Sequence, residues 1–207
     1  METLFRKGIY QILKVFYVNG NSEVHLRELA RRTGLNENSI SRFLNELVNS
    51  KILISRKEAS VRKFYVSDKF HGSIFSSFDF ERFNKLSFDR RKSIEDYLKG
   101  LKIKPFCLIL FGSSARGHAK KDSDLDLLEI GSLEKNSVLV KDIESERGIR
   151  LQVIRLDLDD FKKSILDKDA VILSAINAGF PVFGKDFFYG EIENKFGRNF
   201  RKWMKRD

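Results

Sequence analysis

The stretch Phe106-Cys107-Leu108-Ile109-Leu110-Phe111-Gly112-Ser113-Ser114-Ala115-Arg116-Gly117, followed by Asp122-Ser123-Asp124-Leu125-Asp126-Leu127-Leu128, decides the reading of this chain. Six consecutive apolar residues ending in glycine predict a buried strand that runs into a tight turn. The second apolar run, Leu125 to Leu128, predicts another strand, with two aspartates at its start. Ten residues separate Ser113 from Asp124.

Two aspartates at i and i+2 project to the same face of a strand, because side chains alternate. Neighbouring carboxylates repel, and the repulsion is relieved by a cation or by a raised pKa. Hard oxygen ligands with room for water suit Mg²⁺, usually shared with substrate phosphates. Gly112 lets the backbone approach an anion closely, and a helix starting at Ser113–Ser114 would aim N–H groups at it. A turn that can hold phosphate beside a pair that can hold a metal is the equipment for phosphoryl or nucleotidyl transfer.

Downstream, Ile149-Arg150-Leu151-Gln152-Val153-Ile154-Arg155 predicts a further strand. Asp157-Leu158-Asp159-Asp160-Phe161 predicts a helix start with acids in its first turn. A helix over 170–178 is closed by Gly179, and 180–184 predicts a short strand. Ile192, Phe196, Phe200, Trp203 and Met204 form an apolar stripe with basic residues opposite, a terminal amphipathic helix.

Upstream, Phe5, Ile9, Ile12, Leu13 and Phe16 predict a helix over 4–18, which Asn19-Gly20-Asn21 stops. Leu26, Leu29 and Ala30 predict a short second helix ended by Thr33-Gly34. Asn36 is placed to cap a third, whose buried stripe is Ile40, Phe43, Leu44, Leu47 and Val48. Ile52-Leu53-Ile54 and Phe64-Tyr65-Val66 bracket a polar segment and predict a β-hairpin. Six phenylalanines between Phe70 and Phe88 sit in the join, where Phe80, Phe83 and Leu86 are expected to line one helical face.

The N-terminal pattern resembles a winged helix-turn-helix domain. The resemblance implies DNA binding, with Ser39, Ser41, Arg42 and Asn45 facing bases and Arg31, Arg32, Arg56, Arg62 and Lys63 facing phosphates. Winged helices are often dimeric, so a homodimer is open, and some bind proteins instead of DNA. The C-terminal pattern, Gly-Ser, ten residues, Asp-x-Asp, resembles the minimal nucleotidyltransferases of the DNA polymerase β superfamily. That resemblance implies that Gly112, Ser113, Ser114 and Arg116 hold a nucleoside triphosphate and that Asp124 and Asp126 are the catalytic metal ligands, for Mg²⁺ or alternatively Mn²⁺. It implies transfer of a nucleoside monophosphate to an acceptor hydroxyl on a protein or a small molecule. The family usually has a third acid on a following strand. Here that position is Gln152, which is neutral and cannot act as a base. Two readings follow: an enzyme lacking one acid, or a DNA-binding transcription regulator whose nucleotidyltransferase domain senses nucleotide. A purely structural adaptor is a third.

Composition bounds these readings. The 207 residues carry 39 Lys and Arg against 29 Asp and Glu, a net charge of +10 that favours polyanionic partners. Residues 1–70 hold +6 of it, while residues 105–190 are at −2, which predicts two modules with different jobs. The single cysteine, Cys107, excludes an intrachain disulfide and fits a reducing, cytoplasmic setting. The longest apolar run is too short to cross a bilayer, so no membrane partner is expected. The expected fold class is α+β: a winged helix over 1–70, a joining helical segment over 71–104, and a nucleotidyltransferase-like domain with a short mixed sheet over 105–207.

Overall fold

The computed structural model describes residues 6–131 and 136–192. The chain forms two compact units that part between Phe78 and Asp79.

The first unit begins with α1 (Lys7–Val18), whose Ile12, Leu13 and Phe16 are fully buried. After it, Asn21 sits at φ 56° and is buried. Its side chain accepts from the Val66 N–H at 2.8 Å and donates to the Val66 carbonyl at 2.9 Å, which ties the turn to the hairpin. β1 (Val24–His25) leads directly into α2 (Leu26–Thr33), and the His25 ring Nδ1 accepts from the Glu28 N–H. Gly34, at φ 71°, ends α2 in the left-handed conformation that glycine adopts freely. α3 (Glu37–Asn49) is capped as expected, with Asn36 Oδ1 accepting from the Ser39 N–H at 2.8 Å. Ile40, Leu44 and Leu47 are buried, and the Phe43 ring lies where a side chain at Gly8 would stand.

β2 (Leu53–Glu58) and β3 (Val61–Val66) form the expected hairpin, paired from Leu53↔Val66 to Glu58↔Val61. β1 adds to β3 as a third antiparallel strand, with Val24 opposite Phe64. This strand was not expected, because two residues are too few to show an alternation.

α4 (Asp68–Asn84) contains the division between the units. Phe75 and Phe78 are buried in the first unit against Tyr17, at ring-centroid distances of 5.3 and 5.1 Å. Phe83 and Leu86 pack on the core of the second unit. Phe80 is 55% exposed, so the expected single apolar face through Phe80, Phe83 and Leu86 does not form. Alternate phenylalanines serve different surroundings instead.

The second unit continues with α5 (Phe88–Gly100), β4 (Cys107–Phe111), a single helical turn α6 (Gly112–Ala115) and β5 (Leu125–Ile130). α7 (Ser137–Arg147), β6 (Leu151–Leu156), α8 (Leu158–Leu166), α9 (Ala170–Ala178) and β7 (Phe180–Phe183) follow, then α10 (Lys185–Phe187) and a π-helical turn over Phe188–Ile192. The sheet is small and mixed, in the order β6-β5-β4-β7, with β5 and β6 the parallel pair. The unit is thus α+β. Leu108, Leu110, Leu125, Leu127 and Leu151 form one apolar face, covered by Ile94 and Tyr97 of α5, by Leu101 just after it and by Ile143 of α7. Each such side chain contributes about 1.5–3 kcal/mol on burial. α8 starts where expected, with Asp159 and Asp160 in its first turn, and Asp157 caps it by accepting from the Asp160 N–H at 2.7 Å.

Cys107 is fully buried in β4, and burial pushes its thiol pKa up. The terminal stripe through Phe196, Phe200, Trp203 and Met204 lies outside the described residues. Among the described residues, no helix is long and apolar enough to cross a membrane.

Candidate active site at the glycine–serine turn

β4 ends at Phe111, opposite Asp126 of β5 in the antiparallel register. The chain then turns at Gly112, which adopts φ +69°. A Cβ built on Gly112 would collide with the Asp126 carboxylate. The acid pair and the turn therefore touch, and glycine is required there for both conformation and space. The helix expected from Ser113–Ser114 is the single turn α6. The first N–H groups of such a turn have no intrahelical acceptor.

Asp124 lies one residue before β5, whose first residue Leu125 donates its N–H to the Arg150 carbonyl at 2.8 Å. Asp126 pairs directly with Gln152 across the parallel strands β5 and β6. The Gln152 amide donates to Asp124 Oδ2. The residue in the usual place of a third acid thus binds one of the two acids present. Burial, and secondly the Asp124 carboxylate, raise the Asp126 pKa, while Arg116 and Arg90 act to lower it. A cation between the two carboxylates would relieve that repulsion.

The donor set fits a divalent hard cation. It offers carboxylate oxygens on an accessible face, with Asp124 and Asp126 both half-buried. Among the described residues no group of three or more His, Cys, Asp or Glu side chains could hold a metal.

The four residues assigned to the triphosphate differ in placement. Gly112 and Ser113 are half-buried, and Arg116 is exposed and acts electrostatically on Asp126. Ser114 is buried, and its hydroxyl accepts from Arg90 at 2.6 Å. Its side chain supports the turn from beneath. His118, Lys120 and Lys121 lie in the intervening loop, and the Lys120 N–H donates to Ser123 Oγ at 2.8 Å.

Two arginines that sequence reasoning missed hold this region. Arg90 of α5 is only 6% exposed. It donates to Ser114 Oγ and to the carbonyls of Lys120 at 3.0 Å, Ser123 at 2.7 Å and Asp124 at 3.4 Å. Burial lowers its pKa and the two aspartates oppose that, but a guanidinium remains charged. Arg82 of α4 donates to the carbonyls of Ala115 and Ala178, both at 2.8 Å, and stacks 4.2 Å from the Phe180 ring. In the sequence, Arg90 sits within Arg90-Arg91-Lys92, which reads as a solvated basic run.

The nine residues assigned to DNA lie in the first unit. Ser41, Asn45 and Arg62 line one cleft of about 570 Å³, together with His25, Arg27 and Glu37. Ser39, Arg31, Arg32, Arg42, Arg56 and Lys63 do not line it. Arg31 and Arg32 converge on Glu28 at 2.6 and 2.5 Å, and their hydrogen bonds hold its pKa down at about 2. Arg42 covers the Phe43 ring at 5.1 Å, and Lys63 pairs with Glu58. Arg62 donates to Ser55 Oγ at 2.9 Å, and Arg56 is exposed.

No curated protein and no solved structure matches the chain. Residues 84–178, from the end of α4 to the end of α9, match the family model of the nucleotidyltransferase domain, which supports nucleotidyl transfer in general as the chemistry of this unit and a nucleotide as its substrate class.

Proposed function

We propose that the second unit moves a nucleoside monophosphate from a nucleoside triphosphate to an acceptor hydroxyl, on a protein or a small molecule, with Mg²⁺ or Mn²⁺. The observation that carries this reading is the contact of the Asp126 carboxylate with Gly112, which brings the acid pair to the turn. Asp124 and Asp126 hold the metal, which supplies charge neutralisation for the phosphates. Ser113 and the N–H groups of the turn hold the terminal phosphates, and Arg116 adds a positive charge on the exposed side. The acceptor oxygen attacks the α-phosphorus, and the bond to the bridging oxygen breaks as pyrophosphate leaves. Gln152 cannot take the acceptor's proton, so a substrate group receives it.

The first unit, in this proposal, is a winged helix-turn-helix domain that brings the second to DNA or to a partner protein, as a monomer or homodimer. Ser41 and Asn45 reach base edges, while Arg62 at the same cleft meets phosphate. Incubation of the full chain with labelled nucleoside triphosphates, Mg²⁺ or Mn²⁺ and cell extract tests the enzyme. Labelled product that is lost in both Asp124→Ala and Asp126→Ala supports it. Product that survives both substitutions overturns it.

Gln152 bound to Asp124 favours one second reading, a transcription regulator whose second unit binds nucleotide without efficient turnover. Nucleotide-modulated, salt-sensitive DNA binding without labelled product supports that reading. If the missing acid limits turnover, Gln152→Asp raises transfer above wild type. An unchanged or lower rate in a folded variant rejects that explanation.

A further inference from the structure

The metal-site reading treats the two aspartates as the working groups; Gln152 holds the Asp124 carboxylate, but the reading leaves open what fixes the Asp124 backbone, which lies before β5 and outside its ladder. We infer that Arg90 is the positioning residue of the acid pair: its buried guanidinium ties α5 to the backbone at 120–124 and to Ser114, and thereby sets where the Asp124 carboxylate stands for a divalent cation. The inference rests on the reading of Asp124 and Asp126 as metal ligands and deepens it.

The geometry is specific. Arg90 Nη2 donates to the Lys120 and Ser123 carbonyls, at 3.0 and 2.7 Å. Arg90 Nη1 donates to Ser114 Oγ at 2.6 Å and to the Asp124 carbonyl at 3.4 Å. The Ser114 hydroxyl in turn donates to that Asp124 carbonyl at 3.4 Å. One planar fork therefore spans the single turn α6 and the residues just before β5, the two segments that the proposed site needs in register. The loop closes partly on itself, the Ser123 N–H donating to the Lys120 carbonyl at 3.1 Å, and Arg90 adds a second donor to that carbonyl and a donor to the Ser123 carbonyl. A lysine would carry the same charge but could not reproduce the fork. Arg90 donates to carbonyl and hydroxyl oxygens and has no hydrogen bond to either aspartate side chain. It leaves the carboxylate oxygens to a cation and to Gln152, and its charge also attenuates the repulsion between the acids.

The arrangement resembles the outer shell of metal sites, where groups that never touch the ion orient those that do. Loss of such a partner typically weakens metal affinity by about 10–100-fold. Manganese is the probe, because its paramagnetic resonance reports free and bound ion without any turnover.

The experiment titrates Mn²⁺ into the full-length chain in five forms: wild type, Asp124→Ala, Arg90→Lys, Ser114→Ala and Tyr97→Phe. Tyr97 is also on α5, but its hydroxyl bonds Glu129, which shares the α5-covered face of β5 with Leu125 and Leu127 and points away from Asp126. Its loss loosens the same helix and leaves every Arg90 bond in place. Thermal melting identifies the folded fraction of each. The expected result is wild-type binding that Asp124→Ala abolishes, affinity about tenfold weaker in Arg90→Lys, a smaller weakening in Ser114→Ala, and wild-type affinity in Tyr97→Phe. Wild-type affinity in Arg90→Lys, or equal losses in Arg90→Lys and Tyr97→Phe, overturns the positioning role and leaves the metal reading standing. No Mn²⁺ binding to wild type, or binding that survives Asp124→Ala, overturns the metal reading and this inference with it. Should Arg90→Lys fail to fold, Ser114→Ala against Tyr97→Phe decides, and equal affinities there overturn the inference.

Discussion

The two units use arginine in opposite ways. In the second, Arg82 and Arg90 turn inward and grip main-chain carbonyls of the segments that frame the glycine–serine turn. In the first, Arg31 and Arg32 stay at the surface and share the carboxylate of Glu28, while Lys63 pairs with Glu58. A buried guanidinium bonded to carbonyls holds one geometry, because releasing it strands several polar groups at once. An exposed ion pair contributes little, about 0–1 kcal/mol, and exchanges readily for another anion. The second unit is built as a fixed site, and the first presents charges that can change partner.

The sharpest way to break this contrast is Gly112→Ala. The substitution places a Cβ in the left-handed region, which costs roughly 1–2 kcal/mol, and drives it into Asp126. The expected result is a loss of at least about 2 kcal/mol in denaturant unfolding together with loss of Mn²⁺ binding. Near-wild-type values in both would show that the turn is not rigid.

Asp126→Asn gives a smaller effect of opposite sign on the metal-free fold. Burial and Asp124 raise the Asp126 pKa above its unfolded value, so the folded state binds more protons. Stability then falls as pH rises through the interval between the unfolded and folded values, and the whole deficit is present above it. In EDTA at pH 7 the Asn variant is expected to melt above wild type, and the gap should close as pH drops through the ordinary carboxylate range. A variant that melts lower at pH 7 contradicts this.

The smallest effect belongs to Glu28→Gln. The folded pKa of Glu28 is lowered from 4.5 to about 2, so its contribution is present above the unfolded value and is lost as pH falls towards about 2. Since the ion pairs lie at the surface, where solvent screens them, only a slight drop in melting temperature at neutral pH is expected, vanishing in acid. A drop as large as that of Gly112→Ala would erase the distinction between the units.

Much of the site was legible because its chemistry is local in the chain. Gly112 announces a turn, and Asp124 and Asp126 announce a shared face, with no knowledge of what packs around them. Gln152 was legible only through resemblance, and its bond to Asp124 depended on the parallel register of β5 and β6. Arg90 was illegible, since nothing within Arg90-Arg91-Lys92 distinguishes the buried arginine from its neighbours. Its role arises from packing between segments more than twenty residues apart. In the first unit, Asn36, Gly34 and the stripe of α3 marked the helices through caps and periodicity. β1 escaped notice because two residues carry no pattern, and its partner lies some forty residues away.

The lone thiol has a practical consequence. Cys107 is sealed inside β4 with its ionisation suppressed, and thiol reagents attack the thiolate. The natural chain is therefore already suited to single-site labelling. A cysteine introduced at exposed Ser60, on the hairpin tip, would take a fluorophore alone and test, in one cuvette, whether that tip meets a polyanion.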